Sequence, residues 1–167
     1  MGLDMYLISM PKIEGMDYED VHSANVHLRE LEEKQNELFL KVKSHIIHSE
    51  KFGMSSISLM EVVAYWRKAN QIHHWFVENL RNGKDDPCFT ELVTKQNLED
   101  LLNLCLIVLS NKKNPQDLLP TRFGSFFGSC EYDDFYYMEI EETKSLLEYL
   151  LKNFNFETHY LMYQCSW

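Results

Sequence analysis

The sequence predicts an α+β fold: an antiparallel or mixed sheet of about four to five strands with roughly four helices packed mainly on one face. Three observations carry this expectation. Segments of period-two alternation stand near both ends of the chain, at 3–9 and 158–165. Apolar residues recur at three-four spacing between them, at 58–80, 94–109 and 141–153. The two patterns interleave irregularly, which disfavours a regular strand–helix alternation. A length of 167 residues, 45% of them apolar, suits a single domain, 1–167, that buries a core without disulfides or metal.

Each element has a local reason. Leu3, Met5 and Leu7 alternate with Asp4 and Tyr6, so the first strand has an apolar and a polar face, and Pro11 ends it. Residues 12–23 are polar and read as loop. From Ala24 to Ser49, Leu28, Leu31, Leu38, Val42 and Ile46 form a thin stripe, which predicts a surface helix. Ser58 and Glu61 form a capping-box pattern. Val62, Tyr65, Trp66, Ala69, Ile72, His73, Phe76, Val77 and Leu80 then predict a long helix that Asn82-Gly83 stops. Cys88 to Val93 reads as a short strand, and Thr94 caps a helix with the stripe Leu98, Leu101, Leu102, Cys105, Val108 and Leu109. Asn111 to Thr121 reads as a loop with Pro115 and Pro120. The aromatic segments Arg122–Gly128 and Asp134–Ile140 predict a hairpin, followed by a helix over Glu141–Asn153 and a closing strand over Thr158–Cys165.

Charge narrows the function. Sixteen Lys and Arg against 26 Asp and Glu give a net charge of −10, which opposes direct binding to nucleic acid or an anionic membrane and favours a basic partner. Lys112-Lys113 and Arg67-Lys68 are the only adjacent basic pairs, and neither makes a nucleic-acid footprint. No apolar run reaches the roughly 18 residues of a membrane span, and the opening segment does not match a secretion signal. Cys88, Cys105, Cys130 and Cys165 contain no C-x-x-C, so reduced thiols in a cytosolic setting are expected. No long heptad pattern suggests a coiled coil, and a monomer is the expectation, although the sequence does not fix the oligomeric state.

Standard phosphate-binding, nucleophile-elbow and H-E-x-x-H motifs are absent, and no catalytic residue is assigned. Adjacent His73 and His74 point about 100° apart on a helix and cannot readily share one metal. His73 lies on the apolar stripe, where a histidine is more often a hydrogen-bonded core residue than a ligand. A zinc tetrahedron is the competing reading, with His73, Cys88, Asp4 and Glu131 as ligands and Cys130 or His74 as substitutes. Cys105, on an apolar helix face, reads as core. The segment 131–142, EYDDFYYMEIEE, has six acids, four aromatics and no base. Asp133, Asp134, Glu139, Glu141 and Glu142 are its candidate partner-binding residues, because carboxylates mimic phosphates and aromatic rings supply contact area. The competing reading is a strand with an acidic outer face.

Several blocks resemble a family of small phage and prophage proteins. They are Met1–Leu7, Tyr65–Phe76, Leu118–Thr121, Ser125–Ser129, Glu131–Asp133 and Tyr163–Trp167, with Cys165 standing where the family pattern suggests Ser. Residues 10–55 are least covered. The resemblance implies a phage protein acting in the host bacterial cytoplasm, similar to type II anti-CRISPR proteins that inhibit an RNA-guided nuclease and hold a structural zinc. It raises His73 and Cys88 as ligands and lowers His74. The leading expectation is therefore a non-enzymatic inhibitor of a type II CRISPR effector nuclease that blocks target-DNA loading or cleavage, since such effectors hold their heteroduplex in a basic channel. The alternatives are a metal-dependent hydrolase, with Glu61 or Glu131 as base, and a phage interaction protein with another host target.

Overall fold

The computed structural model describes residues 2–51, 53–111 and 114–167, so the Lys112-Lys113 pair lies outside the described residues. Strand β1 (Asp4–Pro11) lies between β4 (Glu61–Arg67) and β6 (His159–Ser166), and β5 (Cys88–Val93) closes the far side of β6. All three pairings are antiparallel. The two ends of the chain meet at the centre of the sheet, where Asp4 faces Ser166 and Pro11 faces His159. Pro11 is the last residue of the strand, as expected. A separate hairpin pairs β2 (Ile47–Lys51) with β3 (Met54–Ser58).

Alternation on these strands builds two cores. Met5, Leu7, Ala64, Trp66, Leu161, Tyr163 and Cys165 are buried with residues of three helices. These are α4 (Asn70–Arg81), α5 (Lys95–Asn111) and α7 (Asp134–Asn153). Ile8, Met10 and Met162, on the other face, pack with residues of α1 (Tyr18–Val26), α2 (Leu28–Lys34) and α3 (Glu37–Val42). The class is the expected α+β, but helices cover both faces rather than mainly one. Two further short helices complete the described residues: a 3-10 turn at Lys43–His45 after α3, and α6 (Pro115–Leu118) between α5 and α7.

Four segments differ from the expectation. The region expected to be one helix from Ala24 to Ser49 is broken. Gln35 ends α2 in the left-handed conformation, Asn36 starts α3 by accepting the Phe39 N–H through Oδ1 at 2.9 Å, and Ile47 begins a strand. Tyr18 already opens α1 behind an Asp17–Asp20 capping box, inside the expected loop. Val62 to Arg67 form a strand, not the first turns of a helix. Val62, Val63, Tyr65 and Trp66 are β-branched or aromatic, and β1 supplies the partner that makes a strand worthwhile. Ser58 caps no helix there: its Oγ accepts the Met60 N–H at 2.9 Å. The expected hairpin over 122–140 is an irregular loop followed by α7, because Asp133 Oδ1 accepts the Phe135 and Tyr136 N–H groups, each at 3.1 Å. Tyr136, Ile140, Thr143, Leu147 and Leu150 then form the buried stripe of α7.

Candidate functional site

Two polar constructions stand out, one buried and one on the surface. The buried one centres on His73, in the second turn of α4. Its Nδ1 lies 2.7 Å from the Tyr163 hydroxyl, and its Nε2 lies 3.1 Å and 3.2 Å from the two carboxylate oxygens of Asp85. A carboxylate only accepts, so Nε2 carries the proton and donates to Asp85, while Nδ1 accepts from Tyr163. Asp85 also accepts from Arg122 Nε at 2.8 Å, and Arg122 Nη1 reaches Glu78 at 3.4 Å. His74 completes the chain, with Nε2 3.5 Å from Glu78 and Nδ1 donating to the Pro120 carbonyl at 3.0 Å. Burial holds His73 below the ordinary histidine value, with Asp85 opposing that shift. Burial likewise pushes the Tyr163 phenol well above its ordinary value. Tyr163 stacks on Phe76 with ring centroids 4.0 Å apart, and neither it nor His73 reaches solvent. This tyrosine–histidine–aspartate chain is buried except at Asp85, whose side chain is 11% exposed. It ties α4, the turn after it, β6 and the segment at Arg122 together.

The surface construction begins at Arg122. Phe123 and Phe126 on the loop and Phe135 in the first turn of α7 are 90%, 67% and 70% exposed. Phe126 holds φ at +68°, a conformation rare for a bulky residue. Phe127 beside it is buried, edge-on to His73 at 5.4 Å and to Trp167 at 5.2 Å. A cleft of about 280 Å³ opens beside Phe135, lined also by Lys68, Gln71, Glu131, Asp133 and Glu139 among others. Gln71 Nε2 donates to Glu139 at 2.8 Å, and desolvation holds the Glu139 carboxyl above its ordinary value despite that bond.

The acidic residues expected to bind a partner therefore divide by role. Asp133 caps α7, Glu139 is half-buried under Gln71, and Glu141 pairs with Lys144 at 2.9 Å. Asp134 and Glu142 stand exposed. Phe123, Phe126, Asn70, Asp85, Arg122 and Tyr163 were not among the expected site residues. The phenylalanine-rich 123–127 run was a readable signal for the loop, whereas the bonded partners of His73, Asp85 and Tyr163, come from two separate segments.

The four expected metal ligands are not brought together. Asp4 faces Ser166, and Ser166 faces Cys88, so Asp4 and Cys88 share one sheet face roughly two strand spacings apart, about 10 Å. Asp4 there accepts from the Tyr65 hydroxyl at 2.6 Å. His73 bonds Tyr163, which belongs to the opposite face. Glu131 sits on the loop, its N–H donating to Ser129 Oγ at 3.1 Å. Both ring nitrogens of His73 are engaged, and among the described residues no group of three or more His, Cys, Asp or Glu is placed to hold a metal ion. As arranged, these residues do not fit zinc. Cys105 is core as expected, its thiol pushed by burial up to about 12, and Cys165 is buried with its thiol likewise at about 12.

No family model, curated protein or solved structure matches the chain. Among the described residues no helix is long and apolar enough to cross a membrane.

Proposed function

We propose that this protein is a non-catalytic binding protein whose aromatic loop and acidic helix start dock on a basic protein surface. The observation that carries this reading is that one loop and the helix start after it expose three rings, Phe123, Phe126 and Phe135, and also bear Glu131 and Asp134. Exposed aromatics beside charge are how interfaces find anchors. The net charge of −10 sets the sign of the partner. The resemblance of the sequence blocks to phage proteins directs the proposal to a type II RNA-guided nuclease, whose nucleic-acid channel is basic. Occupying that channel would exclude target DNA by charge and volume, with no chemistry required.

The test is target-DNA cleavage by a guide-loaded type II nuclease, titrated with the wild-type protein and with a Phe123→Ala/Phe126→Ala/Phe135→Ala variant. Inhibition by the wild type, weakened at least about 30-fold in the variant, is expected if the rings include one anchor worth about 2 kcal/mol. Equal inhibition by both proteins rejects the aromatic loop as the docking face. Undiminished cleavage with excess wild-type protein rejects the nuclease as partner.

A further inference from the structure

We infer that Asn70 is the positioning residue of the aromatic loop: one buried side chain that sets the loop's shape before any partner arrives. The inference rests on the reading of that loop as a docking face. Asn70 is the first residue of α4 and is 1% exposed. Its Oδ1 accepts the backbone N–H of Arg122 at 2.9 Å. Its Nδ2 donates to the carbonyls of Phe127 at 3.2 Å and Ser129 at 2.8 Å. These three bonds bracket Phe123 and Phe126 and fasten both ends of the loop to one rigid helix.

The loop has few bonds of its own, and its other buried anchor is the Phe127 ring, packed against His73 and Trp167. Residues 121–133 contain no helix or strand. Phe127 N–H donates to the Gly124 carbonyl at 3.2 Å, and Thr121 Oγ1 donates to the Cys130 carbonyl at 3.1 Å. Neither bond fixes the exposed rings to the body of the protein. The Arg122 guanidinium adds a second hold through Asp85 and Glu78, but at the loop's first residue only. Phe126, at positive φ, sits between the points that Asn70 holds. A loop ordered in advance avoids the ordering cost that a mobile one meets on binding, and the gain shows mainly in slower dissociation. An asparagine suits the position because it presents one acceptor and two donors on a short stem, matching one N–H and two carbonyls.

Two measurements test this. The first uses the wild-type protein and residue-resolved amide exchange. The Arg122 amide, in a loop without regular structure, is expected to be protected at least about 100-fold over the unfolded rate, because it is bonded to a buried side chain. Exchange of that amide at the unfolded rate overturns the inference. The second compares Asn70→Ala and the isosteric Asn70→Asp with wild type. Asn70→Asp retains the volume and the acceptor but loses both donors, so a space-filling role predicts unchanged exchange across 121–129. The positioning role predicts exchange about tenfold faster there in both variants, with a smaller change in α5, and inhibition of the guide-loaded nuclease weakened about tenfold through faster dissociation. An unchanged loop in Asn70→Asp overturns the inference. A loosened loop with undiminished inhibition leaves Asn70 as the positioning residue and overturns the docking reading instead.

Discussion

At the scale of single residues, His73 shows how burial turns a titratable side chain into a pH-dependent element of the core. Its neutral ring satisfies Tyr163 and Asp85 together; an added proton would turn Nδ1 into a donor, so the buried Tyr163 hydroxyl would have to accept there and give up its own donation to the ring. The folded value lies below the ordinary 6.5 because burial opposes the charge. Between the two values the unfolded chain binds a proton that the folded chain does not, so stability rises with pH there. The contribution is complete above 6.5 and is lost as pH falls from 6.5 towards the folded value. Urea unfolding is expected to show a lower midpoint at about pH 5.5 than at about 7.5, and His73→Gln should flatten that slope. A steeper slope in His73→Gln would refute the assignment. Tyr163→Phe removes the donor to Nδ1 without changing shape, and a loss of about 1–3 kcal/mol at neutral pH is expected from the same unfolding measurement.

At the scale of elements, a helix cap and a tightly placed glycine shape the segment that leads into α7. Asp133 provides the side-chain cap of α7, so Asp133→Ala should cost about 1 kcal/mol, seen as roughly 2–4 °C in the thermal midpoint. Gly128 holds φ at +100°, and a Cβ there would stand 3.1 Å from both Cβ and the carbonyl oxygen of Lys68. Gly128→Ala combines a left-handed backbone with crowding against the main chain, so a loss of about 1–3 kcal/mol is expected in denaturant unfolding. Unchanged stability in that variant would mean that the loop can move away from Lys68. Trp66 and Thr143 join strand to helix across the core: Trp66 Nε1 donates to Thr143 Oγ1 at 2.9 Å, and that hydroxyl donates to the Glu139 carbonyl at 2.7 Å.

At the scale of the whole molecule, charge and architecture bear on different questions. A net charge of −10 says nothing about the fold, yet it sets the long-range field that a partner meets. Inhibition of the guide-loaded nuclease is expected to weaken on the order of tenfold between low and high salt, because exposed charges are screened beyond a Debye length. Charge reversal at Asp134 and Glu142 should weaken inhibition in the same sense at low salt and little at high salt. The same reversal at Asp133 or Glu139 would instead disturb a helix cap or a buried contact. Salt-independent inhibition by both proteins would leave the aromatic rings as the whole of the interface.

Strands β1, β5 and β6 and helix α5 were legible in the sequence because their patterns are local: Leu3, Met5 and Leu7 alternate, and Leu98, Leu101, Cys105 and Val108 repeat at helical spacing. Trp66 and Tyr136 were not legible in the same way. Val62 to Leu80 satisfies a helical stripe over its whole length, and only the pairing of Glu61–Arg67 with β1 makes its first part a strand. The aromatic run before Ile140 resembles a strand until Asp133 caps it as a helix. The candidate site divides likewise. The sequence by itself determined the fold class, the acidity, the aromatic-rich segment and the burial of His73, since each follows from composition or period. Tertiary structure alone decided that His73 meets Tyr163 and Asp85, that Asp4 and Cys88 lie across the sheet from it, and that Asn70 holds the loop. Those contacts join residues distant in the chain, and no local periodicity encodes which distant partner a side chain will find.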